Sequence, residues 1–150
     1  MPLAGIFANR VLICVVAAWA SAQIVKVPLE YLRTRKWQWG WLLTTGGLPS
    51  SHSALIVAAA NAIGLFFGFD TPLFALAVAM AMIVTYDAAG VRRQAGIHAE
   101  RINLLFDQLL KGHMWNDDEL REVLGHTPFE VAGGVLWGLL ISTITWSILK

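Results

Sequence analysis

The chain has 150 residues, of which 57% are hydrophobic and only 14% are charged, and its mean hydropathy is +0.60. Soluble domains carry about 25% charged residues, so this composition excludes an ordinary soluble domain and indicates a membrane protein. The formal net charge of +1 gives no support for a nucleic-acid partner, and the single Cys14 excludes an intrachain disulfide and a site built from several thiolates.

Four runs of the chain contain no charged side chain: Val11–Val25, Trp37–Phe69, Thr71–Tyr86 and Val131–Leu149. A helix that crosses a bilayer needs about 20 mostly apolar residues. We therefore predict an all-α integral membrane bundle, a single domain over 1–150, with four transmembrane helices near 6–26, 50–69, 72–91 and 129–149. Ala20-Ser21-Ala22 resembles a signal-peptidase site, but the chain start is not strongly basic, and we expect the first helix to be retained.

Polar connections at 27–49 and 92–128 join the predicted helices, and both lie on one side of a four-helix bundle. They carry most of the basic residues. Cytoplasmic loops are enriched in Lys and Arg, so we expect both connections in the cytoplasm and both termini outside. Some of these basic residues are also candidates for phosphate binding. Without those candidates the charge bias weakens but keeps its sign.

The segment Ala99–Lys111 has apolar residues at helical spacing: Ile102, Leu105, Phe106, Leu109 and Leu110. This pattern predicts a cytoplasmic amphipathic helix that lies on the bilayer or caps the bundle. The alternating Trp37, Trp39 and Trp41 are typical of side chains at the headgroup level, with direct contact to a ligand as the alternative.

Two pairs of glycines have the spacing that lets helices approach closely: Gly64 with Gly68, and Gly134 with Gly138. They predict either close packing inside one chain or the seam of a homodimer.

The segment 45–53, Thr-Gly-Gly-Leu-Pro-Ser-Ser-His-Ser, stands directly before a long apolar run. A helix start offers unpaired backbone N–H groups and a partial positive charge, and glycines let the backbone approach a ligand closely. Ser50 and Ser51 add hydroxyls, and His52 adds a proton donor. This segment predicts an anion site, such as a phosphate site, at the membrane edge.

Basic residues elsewhere can complete such a site. Lys26 and Arg33 lie at the end of the first predicted helix, and together they can clamp a phosphate or form a solvated basic rim. Arg92 and Arg93 follow the third, and only one of them is expected to face the site because neighbours on a helix point about 100° apart. Asp87 is expected to support or neutralise an arginine.

His126 and Glu130 are four residues apart at the start of the last predicted helix. That spacing stacks two side chains on one helix face. A carboxylate there can hold the imidazole Nδ1–H and leave the Nε2 lone pair for nucleophilic attack. The alternative is structural, because Thr127-Pro128-Phe129-Glu130 is also a capping box with proline at the first helical position.

Another set of residues offers metal-ligand chemistry, but its spacing matches no common pattern, and we expect no metal site: His98, Glu100, His113, Asp117 and Asp118.

In chain order, Lys26 with Arg33, Pro49-Ser50-Ser51-His52 and His126-x-x-x-Glu130 resemble the type 2 phosphatidic acid phosphatase superfamily, relatives of the vanadium-dependent haloperoxidases. That superfamily has Lys-x6-Arg-Pro, Pro-Ser-Gly-His and Ser-Arg-x5-His-x3-Asp. The sequence around these motifs resembles the divergent bacterial branch of the superfamily over nearly the whole chain. The usual fold has six helices, and this chain corresponds to the last four.

The resemblance implies a role for each matching residue. Lys26, Arg33, Ser50 and Ser51 would bind phosphate oxygens, the serines also through their backbone amides. His52 would protonate the leaving oxygen. His126 would attack phosphorus to give a phosphohistidine, and Glu130, where the pattern has aspartate, would orient it. Fixed cations supply the charge stabilisation, so no metal or other cofactor is implied.

Besides Glu130, the chain departs from the pattern at three places. Thr34 replaces the proline, Ser51 replaces the glycine, and Arg121 stands five residues before His126 where the pattern has an arginine six before. We expect Arg92 or Arg93 to supply the missing charge.

Two functions fit this sequence. The first is a metal-independent membrane phosphatase acting on a lipid phosphate or diphosphate. The second is a non-catalytic membrane protein that binds or carries an anionic lipid headgroup in the same pocket. A metal-dependent alcohol phosphotransferase fits poorly, because Asp87-x-x-Gly90-x-Arg92 is only a fragment of the aspartate pattern it needs.

Overall fold

A computed structural model describes residues 4–37, 39–43, 46–90, 94, 96–99, 101–103, 105 and 126–150. Every element with defined bounds in these ranges is helical: α1 (Ala4–Phe7), α2 (Arg10–Thr34), a 3-10 helix (Trp39–Leu43), α3 (Ser51–Phe67), α4 (Pro72–Ala89) and α5 (Pro128–Leu149). These ranges contain no strand. The prediction of an all-helical protein is confirmed.

Three helices are long and apolar enough to cross a membrane: α2, α4 and α5, with 25, 18 and 22 residues. Helix α3 is apolar but has 17 residues, fewer than the roughly 20 that a full span needs. The fourth span therefore stays a prediction. The amphipathic segment falls largely outside the described residues, and its described part is helical at 99, 101–103 and 105.

The first long helix extends further than predicted. It continues through Pro28 to Thr34 and ends at Arg35, whose left-handed backbone (φ 56°) lets its N–H donate to the Tyr31 carbonyl at 2.8 Å. The predicted end near residue 26 was wrong because Lys26 was read as the end of the apolar segment. That side chain is 1% exposed and donates to Ser51 of α3, so its charge does not end the helix.

The other boundaries lie within a few residues of the predicted ones, and local caps explain them. Ser50, Thr71 and Thr127 cap α3, α4 and α5, each accepting a backbone N–H of the first turn. Helix α3 ends at Gly68, whose φ of +106° favours glycine.

Helix α3 lies between α2, α4 and α5 and contacts all three, whereas α4 is peripheral and buries only Ala81 and Ala88. The buried positions are mostly small: Cys14, Ala18, Ala22, Ala54, Ala58, Ala60, Ala62, Gly134, Gly138 and Ser142. Since lipid offers no hydrophobic drive between helices, close packing of small side chains is what holds such a bundle together.

Both glycine pairs are used inside the chain. Gly64 lies against the Phe69 ring, and Gly68 is the cap of α3. Gly134 and Gly138 lie against α3, where an added Cβ would come within 2.8 Å of the Ser53 Cβ and 2.6 Å of the Ala54 carbonyl oxygen, respectively. These glycines therefore support packing within one chain, and a homodimer stays a prediction that needs another surface.

A polar contact inside the bundle joins α3 to α5. The Asn61 side-chain amide donates to Ser142 Oγ at 2.8 Å and Thr143 Oγ1 at 3.0 Å. We expect Asn61→Leu to lower the free energy of unfolding by about 1 kcal/mol, the usual size of interhelical hydrogen bonds in membranes. Thermal unfolding in detergent measures it, with the exposed Thr143→Val as the matched control that removes one bond only. Equal stability of Asn61→Leu and the wild type would contradict this role.

Candidate active site

The sequence-distant motifs meet at one end of the bundle, where α3 and α5 begin. The Ser50 backbone N–H donates to the Glu130 carbonyl at 3.0 Å, so the two helix starts are joined directly. Both starts present first-turn amides and the positive end of a helix dipole to the same region. The predicted anion-binding segment and the predicted nucleophile segment are therefore neighbours in space.

The two histidines of these segments lie side by side. The centroids of the His52 and His126 rings are 6.3 Å apart, with the ring planes inclined at 60°. His126 is only 2% exposed, whereas His52 has an exposed side chain. This places one histidine inside the bundle end and the other at its opening.

Glu130 is both the partner of His126 and a helix cap. Its Oε2 lies 3.0 Å from His126 Nδ1 and accepts the Thr127 backbone N–H at 3.1 Å, while Thr127 Oγ1 accepts the Glu130 N–H at 3.3 Å. The His126–Glu130 contact and the capping box are thus present together. A carboxylate on Nδ1 favours the tautomer with the proton there and the lone pair on Nε2.

Lys26 reaches this region from α2. Its Nζ donates to Ser51 Oγ at 3.4 Å. Gly47, at φ +90°, lies against the Lys26 side-chain stem and the Trp41 ring. The Gln23 amide donates to the Leu42 carbonyl at 3.2 Å and thereby ties the 3-10 helix to α2. An interface role and a ligand-contact role were weighed for the tryptophans from the sequence, and the packing of Trp41 near Lys26 was missed.

Ser50 caps α3 and joins it to α5. Its Oγ accepts the backbone N–H of Ser53 at 3.3 Å and the Ser53 hydroxyl at 3.0 Å, and its own N–H is bound to Glu130. These contacts engage the two groups that were predicted to hold phosphate. Ser53, fully buried and missed from the sequence, belongs to this junction, and its hydroxyl three residues after the cap was the available signal.

The sequence matches the profile of the divergent PAP2 family over residues 7–141. The chain belongs to that family. It is also 37% identical to a Bacillus subtilis (strain 168) protein named uncharacterized membrane protein YuiD, in a match that covers 91% of this chain and 93% of that protein. No solved structure matches the chain. The family resemblance is confirmed, and the relative's name agrees with the three apolar helices in indicating a membrane protein.

Not every predicted site residue of this divergent PAP2 protein joins the cluster. Arg33 is on the same helix as Lys26, seven residues further along, or roughly 10 Å at the helical rise. Its side chain is 79% exposed and lies 3.8 Å from Glu30. Asp87 has an exposed side chain on α4. Arg92 and Arg93 lie outside the described residues, so their predicted phosphate contacts stay predictions.

The divergent PAP2 resemblance implied no metal. Among the described residues, no group of three or more His, Cys, Asp or Glu side chains is arranged to hold a metal ion. Of the weak candidate set, His98 is described and is exposed, and the other four residues fall outside the described ranges.

Proposed function

We propose that this divergent PAP2 protein is a membrane phosphatase that hydrolyses a lipid phosphate or diphosphate through His126. The observation that carries the proposal is the convergence of Lys26, Ser51, His52 and the His126–Glu130 pair at one end of the bundle, with the two imidazole centroids 6.3 Å apart. A nucleophile held by a carboxylate beside a second acid–base group is the arrangement that covalent catalysis requires.

The proposed reaction has two steps. First, the Nε2 lone pair of His126 forms a bond to phosphorus, the bond from phosphorus to the lipid oxygen breaks, and His52 gives that oxygen a proton. Then His52 takes a proton from water, the water oxygen attacks phosphorus, and the bond to His126 breaks to release inorganic phosphate. Lys26, Ser51 and the helix starts stabilise the negative charge on the phosphoryl oxygens.

The proposed setting is the bacterial plasma membrane. We propose that α3 acts as the fourth span beside α2, α4 and α5, and that the shared start of α3 and α5 faces the cytoplasm with both polar connections. A phosphorylated lipid would then reach the site with its phosphate at the helix starts and its chain in the bilayer. The biased distribution of Lys and Arg supports this orientation.

A second function is favoured by one observation. Lys26 is 1% exposed and His126 is 2% exposed, whereas the Arg33 side chain is 79% exposed and lies 3.8 Å from Glu30. A cluster whose cation and imidazole are this deeply buried also suits a protein that binds or carries an anionic headgroup without cleaving it. This alternative predicts lipid binding with no release of phosphate.

The test measures phosphate release from a panel of phosphorylated lipids by the purified protein in detergent. We expect release that survives excess chelator and is blocked by vanadate, which mimics the pentacoordinate phosphorus. Binding of the same lipids without release from any of them would support the second function instead. Release that chelator abolishes would contradict the metal-independent chemistry.

A further inference from the structure

One face of α5 runs from the active-site cluster into the bundle at intervals of four residues: His126, Glu130, Gly134 and Gly138. Side chains at this spacing stack on one side of a helix. His126 precedes the helix, and its ring is held by Glu130. The two glycines are buried against α3. The same face therefore carries the proposed nucleophile and the contact that decides how close α3 comes.

Gly134 lies where α3 begins. A Cβ on Gly134 would come within 2.8 Å of the Ser53 Cβ and 3.0 Å of the Ser50 Cβ, and would overlap the Ser50 carbonyl oxygen. Real Cβ atoms do not approach backbone this closely, and the Ser50 carbonyl cannot rotate away as a side-chain end can. It already accepts the Ala54 N–H at 3.0 Å. Only glycine allows this approach.

Ser50 takes part both in the close approach of α3 to α5 and in the active-site cluster. Ser50, which Gly134 contacts, also donates its N–H to the Glu130 carbonyl at 3.0 Å. His52 follows Ser50 by two residues, and His126 is held by Glu130. Any shift between α3 and α5 at Gly134 is therefore passed to the separation of the two imidazoles.

We propose that Gly134 is a positioning residue, which sets the distance between His52 and His126 by fixing the approach of α3 to α5. The kinetic part of this inference rests on the proposed function. A methyl group at Gly134 must move the helix starts apart by on the order of 1 Å, and a misplacement of that size costs about 100-fold in rate.

Gly138→Ala is the matched control. Its Cβ would come within 2.6 Å of the Ala54 carbonyl oxygen, so it crowds the same helix pair against backbone in the same way. It lies one turn further from His126, roughly 6 Å deeper along the helix. The two variants are expected to lose similar stability, and only Gly134→Ala is expected to disturb the site.

The kinetic experiment compares phosphate release by the two variants. We expect kcat of Gly134→Ala to fall about 100-fold, because the distance between the reacting groups changes, with a smaller rise in KM, because Ser51 moves with the start of α3. We expect Gly138→Ala to keep kcat close to the wild-type value. Equal kcat values for the two variants would overturn the inference.

A second experiment needs no catalysis. In a Cys14→Ala background, His52→Cys and His126→Cys together are cross-linked with a short bifunctional thiol reagent. We expect cross-linking about tenfold slower when Gly134→Ala is added, since the reagent spans a wider gap, and unchanged when Gly138→Ala is added. Equal rates would overturn the positioning role even if the wild type releases phosphate. Slower cross-linking without phosphate release by the wild type would overturn only the proposed function.

If Gly134→Ala does not accumulate, Ser53→Gly is added to remove one of the carbons that the new methyl meets. The Ser50 carbonyl still forces the helices apart, so this double variant is expected to cross-link more slowly than Gly138→Ala. A rate equal to that of Gly138→Ala would overturn the inference.

Discussion

Replacing His126 by alanine is expected to lower phosphate release by about 10⁵-fold or more, the scale on which loss of a covalent nucleophile acts. The lone pair that attacks phosphorus is then missing, and water would have to attack directly. Rapid quenching of the wild type with radiolabelled lipid phosphate should trap an acid-labile phosphoprotein, and the same quench of His126→Ala should trap none.

His98→Ala is the control for this experiment, because His98 is an exposed histidine outside the cluster. It should release phosphate at the wild-type rate. His126→Ala also separates the two proposed functions, since a headgroup-binding protein should bind lipid phosphate equally well with and without the His126 imidazole. Full turnover by His126→Ala would show that another group attacks phosphorus.

The helices follow from the sequence wherever local chemistry sets their ends. Thr127 with Glu130 was recognisable as a capping box, and Pro72 and Pro128 stand at first helical positions. The end of α2 was missed because the charged Lys26 was taken to mark the point where the helix leaves the bilayer. Lys26 is buried against Ser51 from another helix, so a charged side chain with such a partner need not end the helix.

In the candidate site, too, the contacts set by local spacing were predictable from the sequence, and those set by helix packing were not. The His126–Glu130 contact follows from a spacing of four residues and was predictable. The 6.3 Å between the histidines joins residues 74 positions apart, and only the packing of α3 on α5 brings them together. Ser50 was assigned to phosphate by its motif, yet its backbone N–H is bound to Glu130, and that bond depends on which helix lies opposite. The role of Gly134 depends on its α3 neighbour for the same reason.

Glu130→Gln is expected to lower kcat by about 10³-fold while leaving the fold stable, because the orienting carboxylate of a catalytic histidine is needed for its charge and its tautomer. A glutamine has the same length, so its carbonyl oxygen can still accept the Thr127 N–H. Its amide can instead donate to His126 Nδ1, which moves the ring proton to Nε2 and removes the attacking lone pair.

Glu130→Asp should behave in the opposite way. In the wild type a single oxygen, Oε2, serves both His126 Nδ1 at 3.0 Å and the Thr127 N–H at 3.1 Å. A side chain one methylene shorter keeps the charge but cannot keep both contacts, so we expect the helix cap to weaken by about 1 kcal/mol. Turnover should nevertheless exceed that of Glu130→Gln, because the negative charge beside the imidazole remains. Thermal unfolding should show the lower stability of Glu130→Asp, and steady-state kinetics should show the lower kcat of Glu130→Gln. If Glu130→Gln keeps wild-type turnover, Glu130 acts only as a cap, and His126 does not depend on its carboxylate.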